Sequence, residues 1–140
     1  MNIKKVSFIG LGVMGYPMAG YLKKNNFDVT VYNRTLSKAE KWSKEYNGNF
    51  STTPGDAAAD SDAIFICVGK DEDLRDVMEG SLGILNNSKE KCIIVDHTTA
   101  SANIAREYYE ICQNSDKFFL DAPVSGGQAG AENGKLSIMV

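Results

Sequence analysis

Residues 6–22 read VSFIGLGVMGYPMAGYL. Four strand-like apolar residues, Val6 to Ile9, run into G-x-G-x-x-G at Gly10, Gly12 and Gly15, and a helix-like stretch from Val13 to Asn25 follows. In a chain with 13 glycines such a triplet alone is a weak signal. Its placement, closing a strand and opening a helix near the N-terminus, gives it meaning. There the first glycine permits a tight turn, the second lets backbone approach a pyrophosphate, and the third lets helix pack on strand. The helix N-terminus adds N–H donors and a partial positive charge. Gly10, Leu11, Gly12, Val13, Met14 and Gly15 are therefore the expected cradle of a dinucleotide; the plain alternative is a glycine-rich turn without a ligand.

Outward from this turn, apolar runs of strand length alternate with helical patterns. Val29 to Tyr32 reads as a second strand and Thr35 to Tyr46 as a charged amphipathic helix. Asn49 to Ser51 gives a short third strand, and Pro54 to Ala59 a short helix. DAIFICV (62–68), CIIVDHT (92–98) and KFFLDAP (117–123) supply three more strands. The first two of these are nearly all apolar, as when helices cover both faces of a parallel sheet. Leu74, Val77 and Met78 mark one helix face, and Ile104, Tyr108 and Ile111 another. Regular alternation predicts an α/β fold of Rossmann type, doubly wound, with a mostly parallel sheet and helices on both faces.

Bulk properties narrow the function. At 140 residues the chain has the size of one domain. With 15 basic and 18 acidic residues its net charge is −3, which gives no footprint for nucleic acid. Lys4-Lys5 and the apolar run after them mimic a signal peptide, but glycines interrupt the run and no A-x-A site follows. No apolar run approaches the roughly 20 residues of a membrane span. Cys67, Cys92 and Cys112 show no C-x-x-C spacing and read as small buried hydrophobes. A cytoplasmic protein without membrane or nucleic-acid partners is expected.

The end of the second strand selects the nucleotide. NAD sites usually place an acid there, roughly 20 residues past the glycines, to hold the ribose hydroxyls. This chain has Asn33, then Arg34, Thr35 and, a helical turn later, Lys38. An acid would repel a 2′-phosphate, whereas Arg34 can pair with it bidentately. Thr35 can add a hydroxyl and cap the next helix. These residues favour NADP over NAD; the alternative for Arg34 and Lys38 is a solvated helix start.

GLGVMGYPMAGYL (10–22), VYNRTLSK (31–38), VDHTTAS (95–101) and DAPVSGGQAGAENGKLSIMV (121–140) together resemble the β-hydroxyacid dehydrogenases. That family includes 3-hydroxyisobutyrate dehydrogenase, tartronate semialdehyde reductase and NADPH-dependent glyoxylate/succinic semialdehyde reductases, and the Asn-Arg-Thr-Leu-Ser-Lys run is most similar to the last. The related 6-phosphogluconate dehydrogenases share V-S-G-G. The resemblance implies that Ser125, with the N–H groups of Gly126 and Gly127, holds the carboxylate of a small hydroxy acid, physically an anion nest. It implies that Thr99 contacts cofactor and substrate, and that Val68 belongs to the nicotinamide ribose loop, where Val68-Gly69-Lys70 departs from the usual Pro or Ser. Thr98 reads as a cap for the following helix, and His97 as non-catalytic. PVSGG can also be a bare turn.

The family's proton donor is a lysine in a G-x-x-G-x-G-x-x-x-K-x-x-N stretch, on an all-helical second domain that also forms the homo-oligomer. Residues 1–140 contain neither, so the expectation is an NADP-binding Rossmann domain carrying no catalytic residue of its own. Two other classes compete: a non-catalytic nucleotide-binding scaffold, and a methyltransferase, which normally needs an acid at the second strand's end.

Overall fold

The computed structural model describes residues 2–140. Strands β1 (Lys5–Ile9), β2 (Asp28–Tyr32), β3 (Asn49–Phe50), β4 (Ala63–Ile66), β5 (Ile93–Asp96) and β6 (Phe118–Asp121) form one sheet in the order β3-β2-β1-β4-β5-β6. All five neighbouring pairs are parallel. The chain first builds outward from β1 and then returns to add β4 on its other side. A crevice therefore opens above the C-terminal ends of β1 and β4. This is the doubly wound Rossmann-type fold that the alternation predicts.

Period-two burial sorts the strand side chains to two faces. Val6, Phe8, Val29, Val31 and Ala63 pack with Ala19 of α1 (Gly15–Lys24) and with Ala39 and Trp42 of α2 (Leu36–Tyr46). Ile9, Ile64, Ile66, Ile94 and Phe119 pack under the other helices. These are α3 (Pro54–Ala58), α4 (Asp71–Met78), α5 (Ile84–Asn87) and α6 (Ala102–Asn114). Trp42, Tyr108, Phe8 and Leu74 are fully buried, each such side chain contributing about 1.5–3 kcal/mol. Among the described residues no helix is long and apolar enough to cross a membrane.

Several boundaries differ from expectation for physical reasons. Helix α1 begins at Gly15, not Val13, because Gly12 to Met14 form the turn above the sheet. On α6 the buried face is Ile104, Tyr108 and Cys112, while Ile111 is 37% exposed. Thr98 does not cap α6; Ser101 does, its hydroxyl accepting from Ile104 N–H. The run Leu136 to Val140 is not a strand of the main sheet. Only β8 (Ser137–Ile138) is extended, and it pairs antiparallel with β7 (Val124–Ser125) as a small ribbon around α7 (Gly127–Glu132). Helices α5 and α7 are too short and too polar to have a periodic signature.

One buried polar group affects stability. Asp96, at the end of β5, is fully buried; its Oδ1 accepts from Thr98 N–H at 2.9 Å, and Oδ2 has no partner among the described residues. Burial pushes its pKa up to about 6, with Asp121 and Asp71 adding to the rise. A carboxyl whose folded pKa exceeds its unfolded value, about 3.9, stabilises fully below that value. The contribution is lost as pH rises through 6. Relative to Asp96→Asn, the wild type should lose up to about 3 kcal/mol of unfolding free energy between pH 4 and pH 8. Urea titrations of both proteins across that range measure it, and parallel pH curves would exclude a shifted Asp96.

Candidate dinucleotide-binding site

The three glycines of the first turn have three different surroundings. A Cβ at Gly10, where φ is +101°, would lie 2.2 Å from the Cys67 carbonyl oxygen on the neighbouring strand. A Cβ at Gly15 would lie 2.1 Å from the Gly10 oxygen. Neither position admits a side chain without moving backbone. Above Gly12 there is nothing within 4 Å. Gly10 and Gly15 therefore serve packing, and Gly12 faces open space.

Hydrogen bonds fix the turn from below. Gly10 N–H donates to the Tyr32 carbonyl at 2.9 Å, and Leu11 N–H donates to Asn33 Oδ1 at 2.9 Å. Asn33 Nδ2 donates onward to the Thr35 carbonyl at 3.1 Å. Among the described residues the N–H groups of Gly12, Val13 and Met14 have no acceptor. The N-terminus of α1 has neither a side-chain cap nor an acid in its first turn. Unclaimed donors, an uncompensated dipole and an open glycine face make this turn fit for an anion.

The turn lines a cleft of about 740 Å³, within the usual size of small-molecule sites. Its walls are Gly10 to Gly15, Tyr32 to Arg34, Thr52 to Pro54, Cys67 to Gly69, and residues of α4 and the following loop, including Asp73, Val77 and Leu82. Val68, half-buried in this wall, is held by its N–H, which donates to Thr98 Oγ1 at 3.1 Å. Thr98 thus ties the loop after β4 to the loop after β5. Burial pushes the Cys67 thiol up to about 11, so it enters the wall as a protonated, inert group.

At the end of β2, Arg34 lines the cleft and its side chain is 82% exposed. Its Nη1 stands 3.5 Å from Asp73 Oδ1. Thr35 occupies the N-cap of α2, but its hydroxyl makes no capping bond. Lys38 is exposed on α2, outside the cleft wall.

None of the substrate residues named by the resemblance belongs to the cleft wall. Thr99, Ser125, Gly126 and Gly127 are all exposed. Ser125 pairs with Ser137 in the ribbon, and Gly126 and Gly127 take φ of +132° and +61°. Gly126 packs against Leu136, while the space around Gly127 is open. His97 is buried and stacks on Phe65 with ring centroids 5.9 Å apart. Burial lowers its pKa, so the ring is neutral, and its Nδ1–H donates to the Ala122 carbonyl at 2.7 Å. These contacts fix the ring between Phe65 and the Ala122 carbonyl.

Two site features escape sequence reasoning. Asn33 reads as a mere absence of charge, yet its amide braces the glycine turn; an Asn in that place beside a G-x-G turn is a signal that could be used. Thr52, Thr53, Val77, Leu82 and Asp73 come from elements remote in sequence. The rule that ligands sit outside the C-terminal strand ends would have pointed to the loops after β3 and β4.

Comparison with known proteins agrees with this geometry. Residues 5–140 match the family described as the NAD binding domain of 6-phosphogluconate dehydrogenase. An uncharacterized oxidoreductase of Shewanella frigidimarina is 57% identical over 136 residues, covering 97% of this chain and 47% of the relative. The structure of Mycobacterium tuberculosis 3-hydroxyisobutyrate dehydrogenase with L-serine superposes with a TM-score of 0.89 at 25% identity, covering 99% of this chain and 46% of that one. Psf3 in complex with NADP+ and 2-OPP gives a TM-score of 0.87 at 27% identity over 95% of this chain and 47% of that one. The chain therefore spans about half the length of these relatives. It belongs to this family of NAD-binding domains and is similar to those of 3-hydroxyisobutyrate dehydrogenase-like oxidoreductases.

Proposed function

We propose that this domain binds NADP(H) for hydride transfer to or from a small β-hydroxy acid or semialdehyde, of the 3-hydroxyisobutyrate, glyoxylate or succinic semialdehyde type. The observation that carries the cofactor choice is Arg34, exposed in the cleft wall where NAD sites usually carry an acid, beside an Asn33 occupied with the glycine turn. NAD is the less favoured cofactor. The relative solved with NADP+ shares the fold and supports the reading.

When bound, the nicotinamide supplies or accepts the hydride; the chain's own residues do the holding. Gly12, Val13 and Met14 direct their N–H groups to the pyrophosphate. Leu11 and Gly15 shape the turn beneath it. Arg34 meets the 2′-phosphate, with Thr35 and Lys38 adding a hydroxyl and a nearby positive charge. Val68, fixed by Thr98, lies against the ribose of the reactive end. Thr99, Ser125, Gly126 and Gly127 would receive the substrate carboxylate. The proton donor comes from a lysine outside these 140 residues, on a helical domain that also joins subunits into a homo-oligomer. Three free cysteines, two of them buried, are consistent with work in the reducing cytoplasm.

The division of labour among the glycines gives a first test. Gly12→Ala should fold with nearly unchanged stability, since its Cβ meets nothing, and should bind NADPH at least about tenfold more weakly. Gly15→Ala should instead lower stability, because its Cβ collides with backbone. Thermal melts and cofactor titrations of both variants separate the two outcomes; equal NADPH affinity in Gly12→Ala would remove the pyrophosphate from this turn.

Arg34→Ala should cost roughly ten- to a hundredfold in NADPH affinity and little in NADH affinity. Calorimetric titration of wild type and variant with both cofactors measures this, and equal wild-type affinities for NADPH and NADH would refute the NADP assignment.

Residues 1–140 alone should bind NADPH without turning it over. Charge developing on the carbonyl oxygen needs a positioned cation or acid, and Lys117 and Lys135, which lie equally close in sequence to the Ser125–Gly127 turn, match no part of the family's lysine motif. Absorbance of NADPH with glyoxylate and succinic semialdehyde follows the reaction. Rates comparable to those of a whole family enzyme would mean that a donor lies within these residues, with His97 the first to replace.

A further inference from the structure

The cleft that would take a doubly charged 2′-phosphate is acidic. Among the described residues lining it, Arg34 is the single cation, against the carboxylates of Asp73, Asp76 and Glu79. Glu79 is engaged elsewhere, accepting from Arg75 at 3.2 Å and from the Tyr108 hydroxyl. Asp76 is exposed and has no partner among the described residues. Asp73 differs from both because it points at Arg34, with Oδ1 3.5 Å from Nη1.

The two partners are unequally fixed. Asp73 sits in the first turn of α4 with its side chain 23% exposed, and its Oδ2 lies so close to Gly69 that a Cβ there would be 2.7 Å away. Arg34 is 82% exposed. The carboxylate is the more enclosed member of the pair and the guanidinium the freer one. At 3.5 Å the pair is longer than a normal charge-assisted hydrogen bond, so it is readily exchanged for a better acceptor.

Resting on the NADP(H) reading above, we propose that Asp73 sets the balance between phosphorylated and unphosphorylated cofactor. Its carboxylate competes with the 2′-phosphate for Arg34 and repels the phosphate once it is bound. A ribose with a free 2′-hydroxyl meets no such opposition and can donate to Asp73. The acid missing from the end of β2 is in effect supplied from the first turn of α4, across the switch point, and it restrains a preference that Arg34 creates.

The probes are adenosine 2′,5′-bisphosphate and 5′-AMP, which differ in the 2′-phosphate alone. Both are titrated calorimetrically into wild type, Asp73→Asn, Asp73→Ala and Arg34→Ala, with thermal melts to confirm folding. Removing the charge by either Asp73 substitution should tighten the bisphosphate roughly three- to tenfold and leave 5′-AMP unchanged or weaker. Bisphosphate affinity that stays within about twofold of wild type, or falls, in both Asp73 variants overturns the role of Asp73. If the wild type does not prefer the bisphosphate and Arg34→Ala changes neither probe, the reading of Arg34 fails and Asp73 falls with it. A wild-type preference that Arg34→Ala abolishes but neither Asp73 variant alters refutes Asp73 alone.

Discussion

The structure depends on one close approach, that of the Gly10 α-carbon to the Cys67 carbonyl. It occurs where β1 and β4 leave the sheet in opposite directions, so the same contact that closes the core also defines the floor of the cleft. Because both partners are backbone, nothing at this point can yield: a methyl group at Gly10 would sit 2.2 Å from the oxygen. Gly15 repeats the constraint one turn later by resting on the Gly10 carbonyl, which sets the height of α1 above the sheet. Once these two contacts are made, the three residues between Leu11 and Gly15 have no room to turn inward. Their N–H groups face the cleft as a consequence of packing.

Asn33 completes this geometry from the neighbouring strand. By accepting from Leu11 and donating to Thr35, it joins the turn after β1 to the turn after β2 through one rigid amide. An aspartate there could still accept from Leu11, but it could not donate to the Thr35 carbonyl, and it would bring a negative charge beside Arg34. One neutral side chain thus braces the glycine turn and leaves no charge there that would oppose a 2′-phosphate. On the other side, Asp96, Thr98 and Val68 form a comparable brace, with Asp96 holding Thr98 and Thr98 holding the Val68 amide. The cost is a buried carboxyl with one unpartnered oxygen.

Much of this was legible in the sequence because parallel strands buried on both faces must be apolar and must alternate with helices. IFI and IIV could hardly be anything but inner strands, and G-x-G-x-x-G between a strand and a helix leaves few alternatives. What the sequence concealed follows from the same physics. Cys112 replaced Ile111 on the buried face of α6 because a helix of ideal period carries its stripe from i to i+8 as well as to i+7, and burial, not hydrophobicity, decides between them. Leu136 to Val140 is a strand-like run in the sequence, yet Met139 and Val140 are exposed, and only Ser137 and Ile138 pair, in a ribbon. The resemblance singles out Thr99, whereas in the structure it is Thr98 whose hydroxyl accepts the inner hydrogen bond, from Val68 N–H. Asp73 was invisible as a site residue because its partner is 39 positions away.

The acidity of the whole chain bears on how such a domain recognises an anion. A net charge of −3 and an acidic cleft wall would disfavour a dinucleotide phosphate if recognition relied on the summed field. The N–H groups of Gly12 to Met14 and the end of α1 act instead over a few ångströms, where fixed dipoles outweigh screened charges farther off. That short range separates two tasks along the cleft. On the proposed reading the pyrophosphate would be held by backbone N–H groups, whereas the 2′-position would be read by side chains, Arg34 and its neighbours. Affinity shared by both cofactors would then reside in the fold itself, and the choice between them in a few replaceable groups at the end of β2 and the start of α4.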